Sequence, residues 1–110
     1  MKSVVLYRIA WCQWHLNTSV AARKDKSGPY QYLIASVKAN PSYAPAYTLL
    51  GIYFQDYGKG RQSQERARVA LQKAFELSTS ELEAAHRLAK AFADTAEWDL
   101  VELVARRVVA

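Results

Sequence analysis

Two stretches of the chain carry the same spacing of bulky and small residues, and this duplication constrains the fold more than any other feature. The first copy is Tyr47, Leu50, Gly51 and Phe54; the second is Ala85, Leu88, Ala89 and Phe92. Leu50 to Leu88, Gly51 to Ala89 and Phe54 to Phe92 share one offset. Recurrence every three or four residues puts such side chains on one stripe of a helix. Gly51 interrupts the first stripe at a cost of about 1 kcal/mol in helix propensity. A residue without a side chain there lets a second helix come close. An answering stripe follows each copy: Ala67, Leu71 and Ala74 after the first, and Trp98, Val101, Ala105 and Val108 after the second. The expected unit is therefore a hairpin of two helices, repeated.

A less regular pair precedes these two. Leu6, Ile9 and Ala10 read as the start of a first helix, and Tyr32, Leu33, Ser36 and Val37 as a second that ends at Asn40-Pro41. Helices are expected at about 2–16, 29–39, 43–57, 62–77, 80–95 and 98–109, giving pairs at about 1–41, 42–79 and 80–110. Pro29 and Pro45 fall near helix starts, where proline is tolerated. Ser78, Thr79 and Ser80 precede Glu81 and Glu83, a hydroxyl cap with first-turn carboxylates for the fifth helix. Polar loops are expected at Asn17 to Pro29 and at Gly58 to Ser63. The second would absorb the residues by which the repeat offset exceeds the usual period of roughly 34.

The order of large and small residues is that of tetratricopeptide repeats, with Tyr47 for the usual Trp and Leu71 for the usual aromatic. The resemblance implies an all-α fold: a right-handed superhelix segment of about three antiparallel helix pairs, an internal slice of a longer array. A longer run carries a narrower resemblance. Lys38-Ala39-Asn40-Pro41-Ser42-Tyr43-Ala44-Pro45-Ala46-Tyr47 continues through Leu50-Gly51-Ile52-Tyr53-Phe54 to Asp56-Tyr57. Gln72-Lys73-Ala74-Phe75-Glu76-Leu77-Ser78, Leu88-Ala89-Lys90-Ala91-Phe92-Ala93-Asp94 and Trp98-Asp99-Leu100-Val101-Glu102 follow. From about residue 30 onward the chain resembles the tetratricopeptide scaffold subunit of the superkiller (Ski) complex. That resemblance implies a non-catalytic scaffold joining an RNA helicase to WD40 propeller subunits, for exosome-linked 3′-to-5′ decay of cytoplasmic mRNA.

Composition agrees with a packed helical protein. Hydrophobic residues make up 51% and charged residues 23%, and the 4 Gly and 3 Pro supply little turn chemistry for a sandwich or barrel. Three Trp and seven Tyr imply thick packing between helices or an aromatic surface. Cys12, the only cysteine, fits a reducing compartment, cytoplasm or nucleus, and a buried apolar role. Arg8 interrupts the apolar stretch near the start, which does not read as a signal peptide, and no apolar run reaches the ~20 residues of a membrane span.

Side chains that could carry chemistry do not converge in the sequence. His15 and His86 lack neighbours at metal-ligand spacing. Asp94, Glu97 and Asp99 cluster at one turn, where capping is the ordinary use. With neither a phosphate-binding glycine loop nor a nucleophile elbow, the sequence supports no enzyme, cofactor, metal or small-molecule substrate. Many tetratricopeptide proteins hold acidic chaperone tails in a clamp of Lys, Asn and Arg. Carried onto this chain, those positions are Tyr7, Trp11, Leu49 and Arg87, and only Arg87 matches. First helices of such repeats line the concave groove, so a protein partner is expected at Tyr7, Trp11, Thr48, Ile52, Gln55, His86 and Lys90. The net charge of +5 admits a second class of partner, RNA, through Arg23, Lys24, Lys26, Lys59 and Arg61. An adaptor of some other complex is the remaining alternative.

Overall fold

The computed structural model describes residues 2–16, 19, 21, 23, 28–58, 60–78 and 81–109. Its elements among these are helices: α1 Lys2–Leu16, α2 Pro29–Ala39, α3 Ala44–Tyr57, α4 Gly60–Leu77, α5 Leu82–Asp94 and α6 Trp98–Val109. α1 packs on α2, α3 on α4, and α5 on α6. The pairs stack through α2 on α3 and α4 on α5, while α3 also touches α1 and α5. This is the helix-pair arrangement of a tetratricopeptide segment. The shortest dimension, 21 Å, is that of two helix layers, each about 10–12 Å across with side chains.

The connections follow local chemistry. Pro29 and Pro45 stand in the opening turns of α2 and α3. Asn40 ends α2: its N–H donates to the Ser36 carbonyl, and its side-chain Oδ1 accepts from the Ser42 N–H at 3.0 Å. That is an Asx turn, which fixes the reversal into α3. Between α5 and α6, the Glu97 N–H reaches the Phe92 carbonyl at 2.8 Å and the Ala96 N–H reaches Ala93 at 3.0 Å. These two bonds define a Schellman ending, and the residue in the left-handed position is Ala96, φ 57°.

Gly51 does what its place in the stripe requires. A Cβ there would lie 2.6 Å from Leu71 Cγ and 3.3 Å from the Ala67 carbonyl oxygen. Two clusters form the core. One runs through Leu71, Ala74, Phe75, Ala84, Leu88, Phe92 and Val104. The other joins Ala10, Trp14, Leu33, Leu49 and Leu50, with Tyr7, Tyr30, Tyr53, Phe54 and Tyr57 against it. The aromatic excess is concentrated there: Tyr30 stacks on Tyr53 with centroids 5.0 Å apart, and Trp14 meets Tyr57 edge-on at 5.4 Å.

Several expectations are corrected. The loop expected over Gly58 to Ser63 is largely replaced by helix: α4 begins at Gly60, and the residues from there on lengthen it. The tight reversal relies on Gly58, where a Cβ would sit 2.5 Å from the Phe54 carbonyl oxygen. The N-cap of α5 is Glu81, with no side-chain capping bond, while Ser78 closes the last turn of α4 by donating to Ala74. Thr79 and Ser80 lie outside the described residues, as does most of Asn17 to Pro29. The inward stripe of α1 is Ser3, Ala10 and Trp14, with Leu6 and Tyr7 half-buried beside them; Ala10 is where it was expected, while Ile9 is exposed. Cys12 lies off that stripe and is exposed. Trp98 is 63% exposed, because α6 turns inward at Val101 and Val104 and no described helix lies beyond it.

Candidate functional site

Because α3 touches both α1 and α5, the first helices of the three pairs form one continuous layer. Tyr7 on α1 is half-buried and meets the Tyr43 ring edge-on at 5.6 Å. Burial, followed by the neighbouring Tyr43 and Glu81, holds the Tyr7 hydroxyl above its ordinary pKa. Trp11, one turn on, is 47% exposed and packs its ring 4.2 Å from that of His15. Ile52 on α3 is half-buried against the aromatic cluster. Thr48 is only 7% exposed, and its hydroxyl is engaged with the Ala44 carbonyl and with Glu81 Oε2 at 3.0 Å. Thr48 therefore ties α3 to the start of α5 and presents no free hydroxyl to a groove.

The remaining positions converge. Gln55, His86 and Lys90 line one polar groove of about 910 Å³, together with Arg61. On α5, Glu83, His86, Arg87, Lys90 and Asp94 recur at helical spacing opposite the buried Ala84, Ala85, Leu88 and Phe92, so the groove is the polar face of an amphipathic helix. Arg61, Gln64 and Arg68 form the facing stripe on α4.

Arg87 organises this groove. Its Nη1 donates to Asp56 Oδ1 at 2.9 Å and to Gln55 Oε1 at 3.0 Å, and its Nε donates to Glu83 Oε1 at 2.9 Å. Burial works against the cation, but the bonds to Glu83 and Asp56 outweigh it and hold its pKa above the ordinary arginine value. Arg68 is held similarly: the hydrogen bond to Glu65 dominates over burial, with Glu97 at 3.8 Å adding to it. The groove thus has a fixed, internally neutralised floor, while Arg61, Lys90 and His86 are exposed at its edge.

Of the basic residues named as RNA contacts, Arg23 and Arg61 fall among the described residues. Arg23 is turned into the fold: Nε and Nη2 donate to the Trp14 carbonyl at 3.1 and 2.8 Å, and Nη1 donates to the Tyr57 hydroxyl at 2.8 Å. Its guanidinium lies 4.2 Å from the Trp14 ring centroid. This cation caps the C-terminal end of α1 and ties it to α3. Arg61 lies in the polar groove, and Lys24, Lys26 and Lys59 lie outside the described residues. At the clamp positions, Leu49 is buried and Arg87 is already bound by its own carboxylates.

Sequence reasoning reached Gln55, His86 and Lys90 from first-helix register, but did not place Asp56 or Gln64 in the groove. The Glu83–Arg87 spacing was visible as an i,i+4 pair. Asp56 reaches Arg87 only across the α3–α5 packing, which no local pattern encodes. Among the described residues, no group of three His, Cys, Asp or Glu is placed to hold a metal ion, and no helix is long and apolar enough to cross a membrane.

Over 106 residues the chain is 39% identical to Superkiller protein 3 of Schizosaccharomyces pombe. The match takes in 94% of this chain but only 7% of that protein. No family model and no solved structure matches the chain. The relative is a tetratricopeptide protein, so the match and the paired helices bear out both the repeat reading and the resemblance to the superkiller scaffold.

Proposed function

We propose that this chain, a tetratricopeptide segment similar to part of Superkiller protein 3, is a non-catalytic scaffold element of a cytoplasmic mRNA-decay assembly. The observation that carries this reading is the 39% identity across 94% of the chain. In this role the first-helix layer offers Tyr7, Trp11, Ile52, Gln55, His86 and Lys90 to an extended or helical segment of a partner protein. Half-exposed aromatics on α1 and a fixed polar floor under Gln55, His86 and Lys90 suit protein docking, where aromatic anchors supply area and polar groups set register. The partners consistent with the superkiller resemblance are the RNA helicase and the WD40 propeller subunits, upstream of exosome-linked decay.

A photo-crosslinking amino acid placed at Trp11 or at His86 in the full-length protein tests the reading within the assembled complex. Both positions are exposed, so the substitution leaves the core intact. A crosslink from either position to a protein subunit is expected. Crosslinks to RNA alone, or to nothing, contradict it.

A further inference from the structure

The α3–α4 pair carries an apolar groove that no repeat packing accounts for. Tyr47, Leu50 and Phe54 of α3 face Val69 and Ala70 of α4 across a space of about 530 Å³. Val69 is 60% exposed. Several other exposed large apolar side chains lie on α1 and α6, the outer helices, where a further helix pair of an array would cover them. Val69 lies on the middle pair, which already has α2 against α3 and α5 against α4. Another repeat at either end would therefore leave this groove open.

Charge specifies the occupant. Arg66 and Lys73 line the same groove on α4, at i−3 and i+4 from Val69, and neither makes an ion pair among the described residues. The single carboxylate lining it, Glu65, is bound to Arg68. We propose that this groove is a second docking site, separate from the polar groove of Gln55, His86 and Lys90, for a partner-protein segment that inserts a bulky apolar side chain between flanking carboxylates. An apolar floor with cations at its rim fits such a segment in both parts. A phosphate backbone would engage the cations but leave Tyr47, Leu50, Phe54 and Val69 unmatched.

The experiment uses the full-length protein and a fluorescein-labelled peptide, Asp-Glu-Leu-Ala-Ala-Trp-Asp-Glu, read by fluorescence anisotropy. Val69→Glu puts a carboxylate into the apolar floor at an exposed position, and the Arg66→Gln, Lys73→Gln pair removes the rim charge. Expected results are saturable binding that weakens with added salt, a Kd raised about tenfold or more by Val69→Glu, and a several-fold rise with a shallower salt dependence for the rim pair. The peptide with lysines for its acids should not bind. His86→Glu, in the other groove, should leave the Kd unchanged, so failure of the first-helix reading and failure of this one are distinguishable. The inference is overturned if the acidic peptide does not bind, or if Val69→Glu leaves its affinity unchanged while circular dichroism shows an intact fold.

Discussion

At the scale of single residues, backbone constraints decide more than chemical identity. Gly51 faces Leu71, a buried side chain with no room to retreat. Gly51→Ala should lower stability by about 1–3 kcal/mol, the cost of overpacking a filled core, as read by denaturant titration. Ala96 is the opposite case: an L-residue with φ 57° in the Schellman position, held by two backbone bonds. Ala96→Gly should raise stability by about 0.5–1 kcal/mol, as relief of left-handed strain exceeds the extra chain entropy of glycine. Tyrosine ionisation bears on stability at alkaline pH. Burial raises the pKa of Tyr7 and of Tyr53, helped by Tyr43 and Glu81 in one case and by Tyr30 in the other. A group whose folded pKa lies above its unfolded value contributes stability below the unfolded pKa and loses it as pH rises through the folded one. Melting temperature should therefore fall above about pH 10, the ordinary tyrosine value. The fall should be shallower in a Tyr7→Phe, Tyr53→Phe variant, and equal slopes in variant and parent would refute the assignment.

At the scale of helices and pairs, what the sequence disclosed depended on the length of the pattern. Leu50, Gly51 and Phe54 with their copies at Leu88, Ala89 and Phe92 announced α3 and α5, because helical period and duplication coincide there. The first pair was harder to read, since a polar contact joins its helices: Ser3 Oγ lies 2.9 Å from Ser36 Oγ, and each hydroxyl also reaches the other residue's carbonyl. Ala10 was legible, but Ser3 reads as surface in a periodicity argument, and Ile9, read into the stripe, is exposed. Arg23 misled for a related reason. Its neighbours in sequence suggested a solvated basic loop, whereas its partners Trp14 and Tyr57 come from two other helices. Arg23→Gln should destabilise by about 1–2 kcal/mol, the scale of hydrogen bonds to a charged group at a partly buried site, and should loosen amide-exchange protection at the end of α1 first.

At the scale of the molecule, the three pairs present chemically different faces. Helix α6 leaves Trp98, Leu100, Leu103 and Val108 exposed, a surface of the kind repeat arrays cover with the next unit. The first-helix layer gathers Gln55, His86 and Lys90 over a floor neutralised by Arg87, Asp56 and Glu83. That convergence was legible in the first-helix register, while the ion pairs that fix it depend on contacts between helices. The most direct measurement of the scaffold account is the subunit stoichiometry of the affinity-isolated assembly, taken from quantitative mass spectrometry of the full-length protein. The variant is His86→Glu with Lys90→Glu, two exposed positions whose change spares the core. The account predicts that at least one protein subunit falls about tenfold relative to the bait, with bait abundance and helicity unchanged. Every subunit recovered at the wild-type ratio would contradict it.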